Sequence, residues 1–373
     1  MTRKKLGYIG TYTEPILFGT GQVLEGKGKG IYTFEFDGRD GNLKLLGLSE
    51  GIVNPSYLVI DQAAKTIYAV NELKIYEGQQ TGTVSALRIG KHPWELQLLN
   101  RQVTMGTDPC HISLDKTGKF AAVANFRSGS ITVYSIKADG RLGEQTSFVQ
   151  HSGSSVDPKR QTGPHAHAVI FDSSNRYLLV PDLGLDKVMV YAFDQNTGLI
   201  TFQEKKTLSI ATGSGPRYLE QHPSGRFFYL VNELRSTITV LRVADGNFSL
   251  EAIQNISTLP DGYTGYSTCA DLHISPSGEF LYASNRGHES IALFQIDREN
   301  GLLSSIGHVH TKGKTPRNFA IDPDGNYLLV ANQDTDNIVV FSIDSTNGLL
   351  VETGIEVSVP TPVCIQFARI YLT

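Results

Sequence analysis

The hydrophobic and polar positions along the chain recur with a period of about 50 residues. One complete unit runs from Pro316 to Gln333 and contains an apolar segment, the turn Asp322-Pro323-Asp324-Gly325 and a second apolar segment. Short apolar runs bounded by Asp, Gly and Pro are typical of two β-strands joined in a hairpin. Similar units begin at Pro55, Pro109, Ala166, Pro216 and Cys269, and a partial unit begins at Pro362.

Each unit continues with an alternating strand and a turn. The strands include 131–134, 188–191, 291–294 and 338–341. The turns carry a glycine, for which a positive φ costs little; they are Gly41, Gly140, Gly198, Gly246, Gly301 and Gly348. Four short strands per unit predict one propeller blade. The sequence therefore predicts an all-β, seven-bladed β-propeller that forms a single domain over residues 1–373.

The two ends of the chain complement each other. Residues 362–368 have the pattern of a first strand without its successors, whereas residues 6–11 and 31–36 have the pattern of second and third strands without a first. If both ends share one blade, the ring closes and no strand edge is exposed. An array of β-sandwiches, the structural alternative, gives no reason for this split unit.

The composition of the chain limits the kinds of molecule that the protein is expected to bind and the compartment in which it is expected to work. A formal net charge of −4 and a pI near 6.2 argue against general affinity for nucleic acid or anionic membranes. No apolar run approaches the ~18 residues of a membrane helix. The three cysteines, Cys110, Cys269 and Cys364, are odd in number and widely spaced. They suggest a reducing compartment, the cytoplasm, and neither a disulfide framework nor a zinc site.

A glycine-rich insertion, residues 14–29, interrupts the first blade. Its segment 21–28 resembles a phosphate-binding loop, but Gly28 stands where that motif requires Ser or Thr after the lysine, and no helix is expected to follow. We therefore expect a surface loop. Whether it covers the mouth of the propeller is left open.

The first two strands of each blade are expected to bring two residues, 16 positions apart, to one rim of the central channel. Just before the second residue of each pair stands an asparagine or aspartate, which is best explained as a structural cap; Asn232 and Asn285 are also candidate substrate contacts. The pairs are Ser56 and Glu72, Cys110 and Phe126, His167 and Leu183, Arg217 and Glu233, Ala270 and Arg286, and Arg317 and Gln333.

Charged residues at these rim positions are the functional signal, because charges near a channel need partners or a ligand. They are Glu72, His167, Arg217, Glu233, Arg286 and Arg317. A structural network of ion pairs and a site for an anionic, oxygen-rich substrate are both compatible with them. His165 and His167 have metal-like spacing, but the comparable pair His308 and His310 lies in an outer strand, so no metal or other cofactor is expected.

Four motifs then resemble the propeller-type lactonase family, which includes bacterial 6-phosphogluconolactonases and the fungal carboxymuconate lactonising enzyme. They are Gly163-Pro164-His165-Ala166-His167, Gly215-Pro216-Arg217, Val231-Asn232-Glu233-Leu234 and the segment 270–278. The resemblance covers nearly the whole chain except the insertions at residues 14–29 and 73–80. It implies a metal-free site that uses His165 or His167 together with Arg217, Glu233 and Arg286.

The expected activity is hydrolysis of a sugar-acid lactone, above all 6-phosphogluconolactone. Glu233 is the expected base, while Arg217 and Arg286 hold the carbonyl oxygen or a phosphate, and a histidine orients the ring oxygen or protonates the leaving alkoxide. Glu72 and Arg317 are further candidate substrate contacts. A muconate-type cycloisomerase and a non-catalytic interaction platform remain alternatives; the oligomeric state is open.

Overall fold

The computed structural model describes residues 4–18, 21–61, 63, 65–244 and 248–372. Within them the chain is almost entirely β-structure, with one short 3₁₀ turn at Glu204–Lys206. The strands form seven sheets of four or five strands and one small hairpin. The chain divides into two compact units. The first contains Met1–Thr11, Ile31–Leu48 and Tyr218–Thr373, and the second contains Tyr12–Gly30 and Ser49–Arg217.

The second unit holds three sheets, called blades 2 to 4, and the small hairpin. The hairpin strands are β2 (Ile16–Leu17) and β3 (Val23–Leu24). Blade 2 consists of β6 (Pro55–Asp61), β7 (Thr66–Asn71), β8 (Thr83–Ile89) and β9 (Leu96–Val103). Blade 3 consists of β10 (Pro109–Leu114), β11 (Phe120–Asn125), β12 (Ser130–Ile136) and β13 (Leu142–Gln150). Blade 4 consists of β14 (Ile170–Phe171), β15 (Tyr177–Asp182), β16 (Lys187–Phe193), β17 (Ile200–Phe202) and β18 (Leu208–Ser209).

The first unit holds four sheets, blades 5 to 7 and the terminal blade. Blade 5 consists of β19 (Pro216–Gln221), β20 (Phe227–Asn232), β21 (Thr237–Ala244) and β22 (Ser249–Ser257). Blade 6 consists of β23 (Thr268–Ile274), β24 (Phe280–Arg286), β25 (Ser290–Ile296) and β26 (Leu303–His310). Blade 7 consists of β27 (Pro316–Ile321), β28 (Tyr327–Asn332), β29 (Asn337–Ile343) and β30 (Leu350–Ser358). The terminal blade consists of β1 (Lys4–Thr11), β4 (Gly30–Phe36), β5 (Leu43–Glu50) and β31 (Pro362–Leu372).

The terminal blade joins both ends of the chain as predicted. Its strand order is β31-β1-β4-β5, and Tyr8 of β1 lies between Gln366 of β31 and Thr33 of β4. All three strands pair antiparallel. The first-strand pattern at residues 362–368 thus supplies the missing strand of an incomplete N-terminal sheet, and neither edge of β1 is exposed.

The aspartate that ends a first strand explains why the hairpin turns recur. Oδ1 of Asp322 accepts hydrogen bonds from the N–H groups of Asn326 and Tyr327, both at 2.7 Å, and Asp115 binds its own turn in the same way. Gly325 completes this turn at φ +77°, where a side chain would be strained. Aspartate and glycine therefore recur because both suit this turn.

A tyrosine on the second strand connects neighbouring blades within each unit. The hydroxyl groups donate to the carbonyl oxygen of a turn glycine in the next blade, at 2.9 Å in each case: Tyr68 to Gly140, Tyr229 to Gly301 and Tyr282 to Gly348. Of the six predicted turn glycines, five have a positive φ, and Gly246 lies outside the described residues. Apolar clusters fill the space between the same blades, for example Val240 of blade 5 against Leu272 of blade 6.

The predicted 16-residue spacing between the first two strands is a true cross-strand register. The pairs are Pro55 with Asn71, Pro109 with Asn125, and Pro316 with Asn332. The register shifts immediately after each proline, so the predicted rim residues Ser56, Cys110 and Arg317 lie on the irregularity. A bulge of this kind redirects side chains and is common beside functional sites.

The insertion at residues 14–29 contains the β2–β3 hairpin, and the chain enters strand β4 after Lys27, where a phosphate loop would require a helix. Its base is fixed by Asn54, whose Oδ1 accepts hydrogen bonds from the backbone N–H groups of Thr13 and Glu14 at 2.8 and 3.0 Å. Lys74 Nζ donates to the carbonyl oxygen of Leu17 at 3.0 Å. Among the described residues, no helix has the length and apolar character to cross a membrane.

A buried ion pair in the terminal blade generates the first prediction. Lys5 is 3% exposed and binds Asp322, which is fully buried, and Asp324, whereas Lys4 is 48% exposed and binds Glu35. Loss of Lys5 leaves a buried carboxylate without its cation. We expect Lys5→Met to lower the free energy of unfolding by about 3–5 kcal/mol, and the control Lys4→Met by at most about 1 kcal/mol. Urea unfolding at pH 7 measures both; equal effects would contradict the prediction.

Candidate functional site

The first group of predicted site residues lies in the first unit, where blades 5 and 6 supply a Glu–Arg ion pair. Glu233 follows the last residue of β20 and is 4% exposed, and Arg286 is the last residue of β24. Arg286 Nη2 lies 3.0 Å from Glu233 Oε2 and also donates to the carbonyl oxygen of Cys269 at 2.9 Å. The two side chains meet, although they are far apart in sequence, because they occupy equivalent positions at the ends of the second strands of neighbouring blades.

Arg286 retains donor capacity after these bonds. Its Nε is buried and has no hydrogen-bond partner among the described residues. Two other predicted rim residues share this property, Ser56 at Oγ and Gln333 at Oε1. A buried polar atom without a partner costs about 1–3 kcal/mol, so such atoms in a native structure call for an explanation. A guanidinium N–H left over beside a carboxylate is suited to an oxygen atom of a ligand.

The second group lies in the second unit and contains the histidine doublet. His165 Nδ1 lies 3.0 Å from the carbonyl oxygen of Phe126, which can only accept, so Nδ1 carries the hydrogen and Nε2 carries the lone pair. Nε2 has no partner in the part of the chain that the structure describes. The ring stacks on Phe126 at 4.8 Å. Burial lowers the pKa of His165 and outweighs the Phe126 carbonyl and Asp182, which raise it.

His167 also packs against Phe126, with an edge-on ring at 5.2 Å, and its Nδ1 lies 3.8 Å from Cys110 Sγ. The contact with Cys110 does not by itself show which ring nitrogen of His167 carries the hydrogen. His165 has a defined acceptor atom, Nε2, and the choice between the two histidines, open in the sequence, stays a prediction. Among the described residues, no cluster of three or more His, Cys, Asp or Glu side chains is arranged to hold a metal ion.

Glu72 directly follows β7, the second strand of blade 2. It is buried and accepts a hydrogen bond from the Tyr12 hydroxyl at 2.9 Å. Nearby, Asp108 was missed by the sequence analysis. Burial, reinforced by the charge of Glu72, raises the pKa of Asp108 to about 7. Its signal is its place before the first-strand proline, which Asn54 occupies in blade 2; both residues have a positive φ.

The remaining predicted arginines occupy the expected strand positions. Arg217 is the second residue of β19 and is 6% exposed; Arg317 is the second residue of β27 and is half-buried. In its sheet β19 lies beside β20, the strand that precedes Glu233. The combination of Arg217 with Glu233 and Arg286 in one site stays a prediction, as does a contact of Arg317 with substrate.

Asn232 and Asn285 use their amides within the fold. Asn232 Nδ2 donates to the hydroxyls of Thr237 and Thr239 at 3.0 and 2.9 Å. Asn285 Nδ2 donates to the carbonyl oxygen of Thr258 at 2.7 Å, and both asparagines are fully buried. This supports the capping interpretation. A substrate contact by either residue stays a prediction that this geometry does not favour.

A charged histidine in the first unit was also missed. His273 Nδ1 lies 2.9 Å from Glu220 Oε2, and its Nε2 lies 3.2 Å from Asp271 Oδ2. Although burial opposes protonation, Asp271 and Glu220 together hold the pKa of His273 well above its usual range. Asp271 and His273 are spaced two apart on β23, a visible pattern, but Glu220 comes from a different strand. This network joins blades 5 and 6 and satisfies both ring nitrogens.

The two histidines generate a prediction about titration. We expect His165 to titrate below the ordinary histidine value of about 6.5 and His273 well above it, because burial dominates at the first and two carboxylates dominate at the second. Histidine Cε1–H signals followed by NMR against pH give both midpoints, with His165→Gln and His273→Gln for assignment. A reversed order of midpoints would refute these assignments of environment.

Comparison with known proteins places the chain in a family. The family described as lactonase, 7-bladed beta-propeller matches residues 6–367. A Bacillus subtilis protein named 6-phosphogluconolactonase is 34% identical over 364 residues, covering 98% of each chain. A Formosa agariphila protein of the same name is 37% identical over 298 residues, covering 79% of this chain and 82% of the relative.

Among solved structures, the periplasmic gluconolactonase of Pseudomonas aeruginosa is similar with a TM-score of 0.89 at 32% identity, covering 98% of this chain and 99% of that one. The predicted propeller fold and the family resemblance are both confirmed. The family match includes strands of all seven sheets and the positions of Glu233 and Arg286. The chain belongs to the lactonase family of seven-bladed β-propellers.

Proposed function

We propose that this protein hydrolyses a sugar-acid lactone, and that 6-phosphogluconolactone, opened to 6-phosphogluconate, is its first candidate substrate. Family membership and the two relatives named 6-phosphogluconolactonase support the choice of reaction and substrate. One observation about this chain carries it: a buried glutamate, Glu233, is held at 3.0 Å by Arg286, whose Nε still has no partner among the described residues.

In the proposed reaction Glu233 takes a proton from water as the water oxygen attacks the lactone carbonyl carbon. Arg286 stabilises the negative charge that develops on the carbonyl oxygen, through the Nε–H that has no partner among the described residues. The ring C–O bond then breaks, and the proton held by Glu233 passes to the departing alkoxide. The product is a free hydroxy acid, and Glu233 returns to its carboxylate form.

His165 has a different proposed part from the one expected from the sequence. Because Nδ1–H is bound to the Phe126 carbonyl, the neutral ring offers Nε2 as an acceptor and has no proton there to give to a leaving alkoxide. We assign it to accept a hydrogen bond from a substrate hydroxyl. Arg217 is assigned to the substrate phosphate, because guanidinium groups bind phosphate through paired hydrogen bonds.

The mechanism uses no cysteine nucleophile. Cys110, Cys269 and Cys364 are all buried thiols. Burial raises the pKa of Cys269 to about 11, so this side chain is a thiol at neutral pH, and the thiol is a poor nucleophile. The same buried thiols support our proposal of the cytoplasm as the compartment, although the Pseudomonas aeruginosa relative is periplasmic. Separation of cell fractions followed by immunodetection tests it.

The role of Glu233 is tested by Glu233→Gln. Loss of the base should lower kcat for 6-phosphogluconolactone by about 10²–10⁴-fold with the fold intact. The control is Glu251→Gln, which removes a carboxylate from an exposed pair with Arg242 and should leave kcat unchanged. Rates are corrected for spontaneous ring opening in buffer. If the wild type opens neither 6-phosphogluconolactone nor glucono-δ-lactone faster than buffer, the proposal fails; lactone formation from a muconate would favour the cycloisomerase alternative.

The role of Arg217 is tested by substrate choice. Arg217→Gln should raise KM for 6-phosphogluconolactone by about tenfold to a hundredfold, since a hydrogen bond to a charged group is worth about 1.5–3 kcal/mol. KM for the neutral glucono-δ-lactone should change little. Arg317→Gln, at the equivalent strand position in blade 7, provides the comparison. An equal loss with both lactones would show that Arg217 does not serve the phosphate.

A further inference from the structure

One structural position differs in blade 4 from its counterparts in the other blades. The position in the second strand that pairs with the first residue of the third strand is occupied by Asp182 in blade 4 and by asparagine in five other blades, namely Asn71, Asn125, Asn232, Asn285 and Asn332. In blades 3, 6 and 7 the asparagine Nδ2 donates to the carbonyl oxygen of the threonine that follows the preceding blade's last strand. These contacts are Asn125 to Thr104, Asn285 to Thr258 and Asn332 to Thr311, at 3.2, 2.7 and 3.0 Å.

The amide oxygen of this asparagine does little in several blades. Oδ1 of Asn125, Asn232 and Asn332 is buried and has no hydrogen-bond partner among the residues that the structure describes. In Asn125 and Asn332 the side chain thus acts as a donor that ties two blades together, whereas Asn232 donates within its own blade. An aspartate, which only accepts, cannot perform this function with a carbonyl oxygen.

In blade 4 both partners of the threonine–asparagine contact are replaced: Asp182 stands in place of the asparagine, and a histidine stands in place of the threonine. His151 stands where blades 2, 5 and 6 have Thr104, Thr258 and Thr311, directly after the last strand, and its Nδ1 lies 2.6 Å from Asp182 Oδ2. The Tyr191 hydroxyl lies 2.9 Å from His151 Nε2. A histidine–aspartate contact therefore replaces the threonine–asparagine contact, and all three side chains are buried.

Because His151 binds Oδ2 of Asp182, the other carboxylate oxygen, Oδ1, can accept hydrogen bonds from the segment that carries His165. Asp182 Oδ1 accepts the backbone N–H groups of His165, Gly184 and Leu185 at 2.7, 3.0 and 3.2 Å. The equivalent oxygen has no hydrogen-bond partner among the described residues in Asn125, Asn232 and Asn332, whereas in Asp182 it accepts from three donors. The regular ladder is interrupted at this point, because β14 begins only at Ile170 and Ala166 makes a single bridge to Asp182.

We propose that Asp182, held by His151, is a positioning residue that fixes the backbone of His165 and places a negative charge beside its ring. This inference rests on the proposed function, in which His165 Nε2 accepts a substrate hydroxyl. Asp182 acts through His165 and does not itself touch the substrate.

The charged groups around His165 set the sign of the test. Asp182 favours the protonated ring, Arg160 and Arg127 disfavour it, the Phe126 carbonyl favours it, and burial, the largest influence, lowers the pKa. Two other titratable groups lie nearby: the His167 ring, which also packs against Phe126, and the Cys110 thiol, which lies beside His167. Removal of the Asp182 charge therefore lowers the His165 pKa further, so that the neutral acceptor form persists to lower pH.

The test measures His165 in two ways. In Asp182→Asn we expect the NMR midpoint of His165 to fall by about one pH unit. The acid limb of the kcat/KM profile should move by the same amount in the same direction. Glucono-δ-lactone is the substrate for this profile, because a phosphate group titrates near pH 6 and would obscure the limb. A purely structural Asp182 would change stability and leave both midpoints in place.

A double variant guards against misfolding. Asp182→Asn combined with His151→Thr recreates the pair that blades 3, 6 and 7 already contain, and it should show the same shift. Asn332→Ala, the matched control at the same position of blade 7, should lower stability without moving the His165 midpoint. An unchanged midpoint in the folded double variant overturns the proposal. A shifted midpoint in a protein that opens no lactone supports the positioning of His165 and rejects the proposed function.

Discussion

Five of the seven blades share one backbone constraint at the edge where the first strand begins. The residue before the first-strand proline has a left-handed backbone at Asn54, Asp108, Gly215, Thr315 and Thr361, with φ between +40° and +65°. A β-branched threonine is strained in that region, and such strain persists only where the surrounding structure enforces it. The next residue pairs with the end of the second strand, so the register of both strands is fixed at this edge.

Around this shared constraint, some contacts recur from blade to blade, whereas other residues differ between blades. The turn aspartates, the tyrosine hydroxyl bonds and the asparagine contacts have partners supplied by the repeat itself. These contacts hold the blade together, so the residues just beyond the register pair can vary from blade to blade. Glu72, Arg286 and Arg317 occupy such positions, and polar atoms of Arg286, Ser56 and Gln333 lack partners among the described residues. The polar atoms left over at these variable positions are therefore available to a ligand rather than needed to hold the blade.

The sequence was sufficient for the fold because the repeat is local: an aspartate, a glycine and a proline act within one hairpin, and their spacing survives in the linear pattern. It also placed Glu233 and Arg286 among the residues expected at one rim, since a constant register puts equivalent residues at one edge, but the ion pair between them is seen only in the structure. It could not identify the atoms that decide chemistry. The tautomer of His165 depends on a backbone carbonyl at Phe126, and the charge of His273 depends on Glu220 from another strand. Neither contact leaves a periodic signal.

The ion pairs of the first unit show why charge alone is a poor guide to function. Lys5 with Asp322 and His273 with Glu220 and Asp271 are at least as buried or as well paired as Glu233 with Arg286. In the first two networks the cationic nitrogens meet carboxylates, whereas Arg286 keeps one buried N–H without a partner among the described residues. A completed network stabilises the fold, and a network with a donor to spare can stabilise charge that appears only during a reaction. A functional site is therefore distinguished from a structural ion pair by a donor that is left without a partner after the charges have paired, and not by the number of charges.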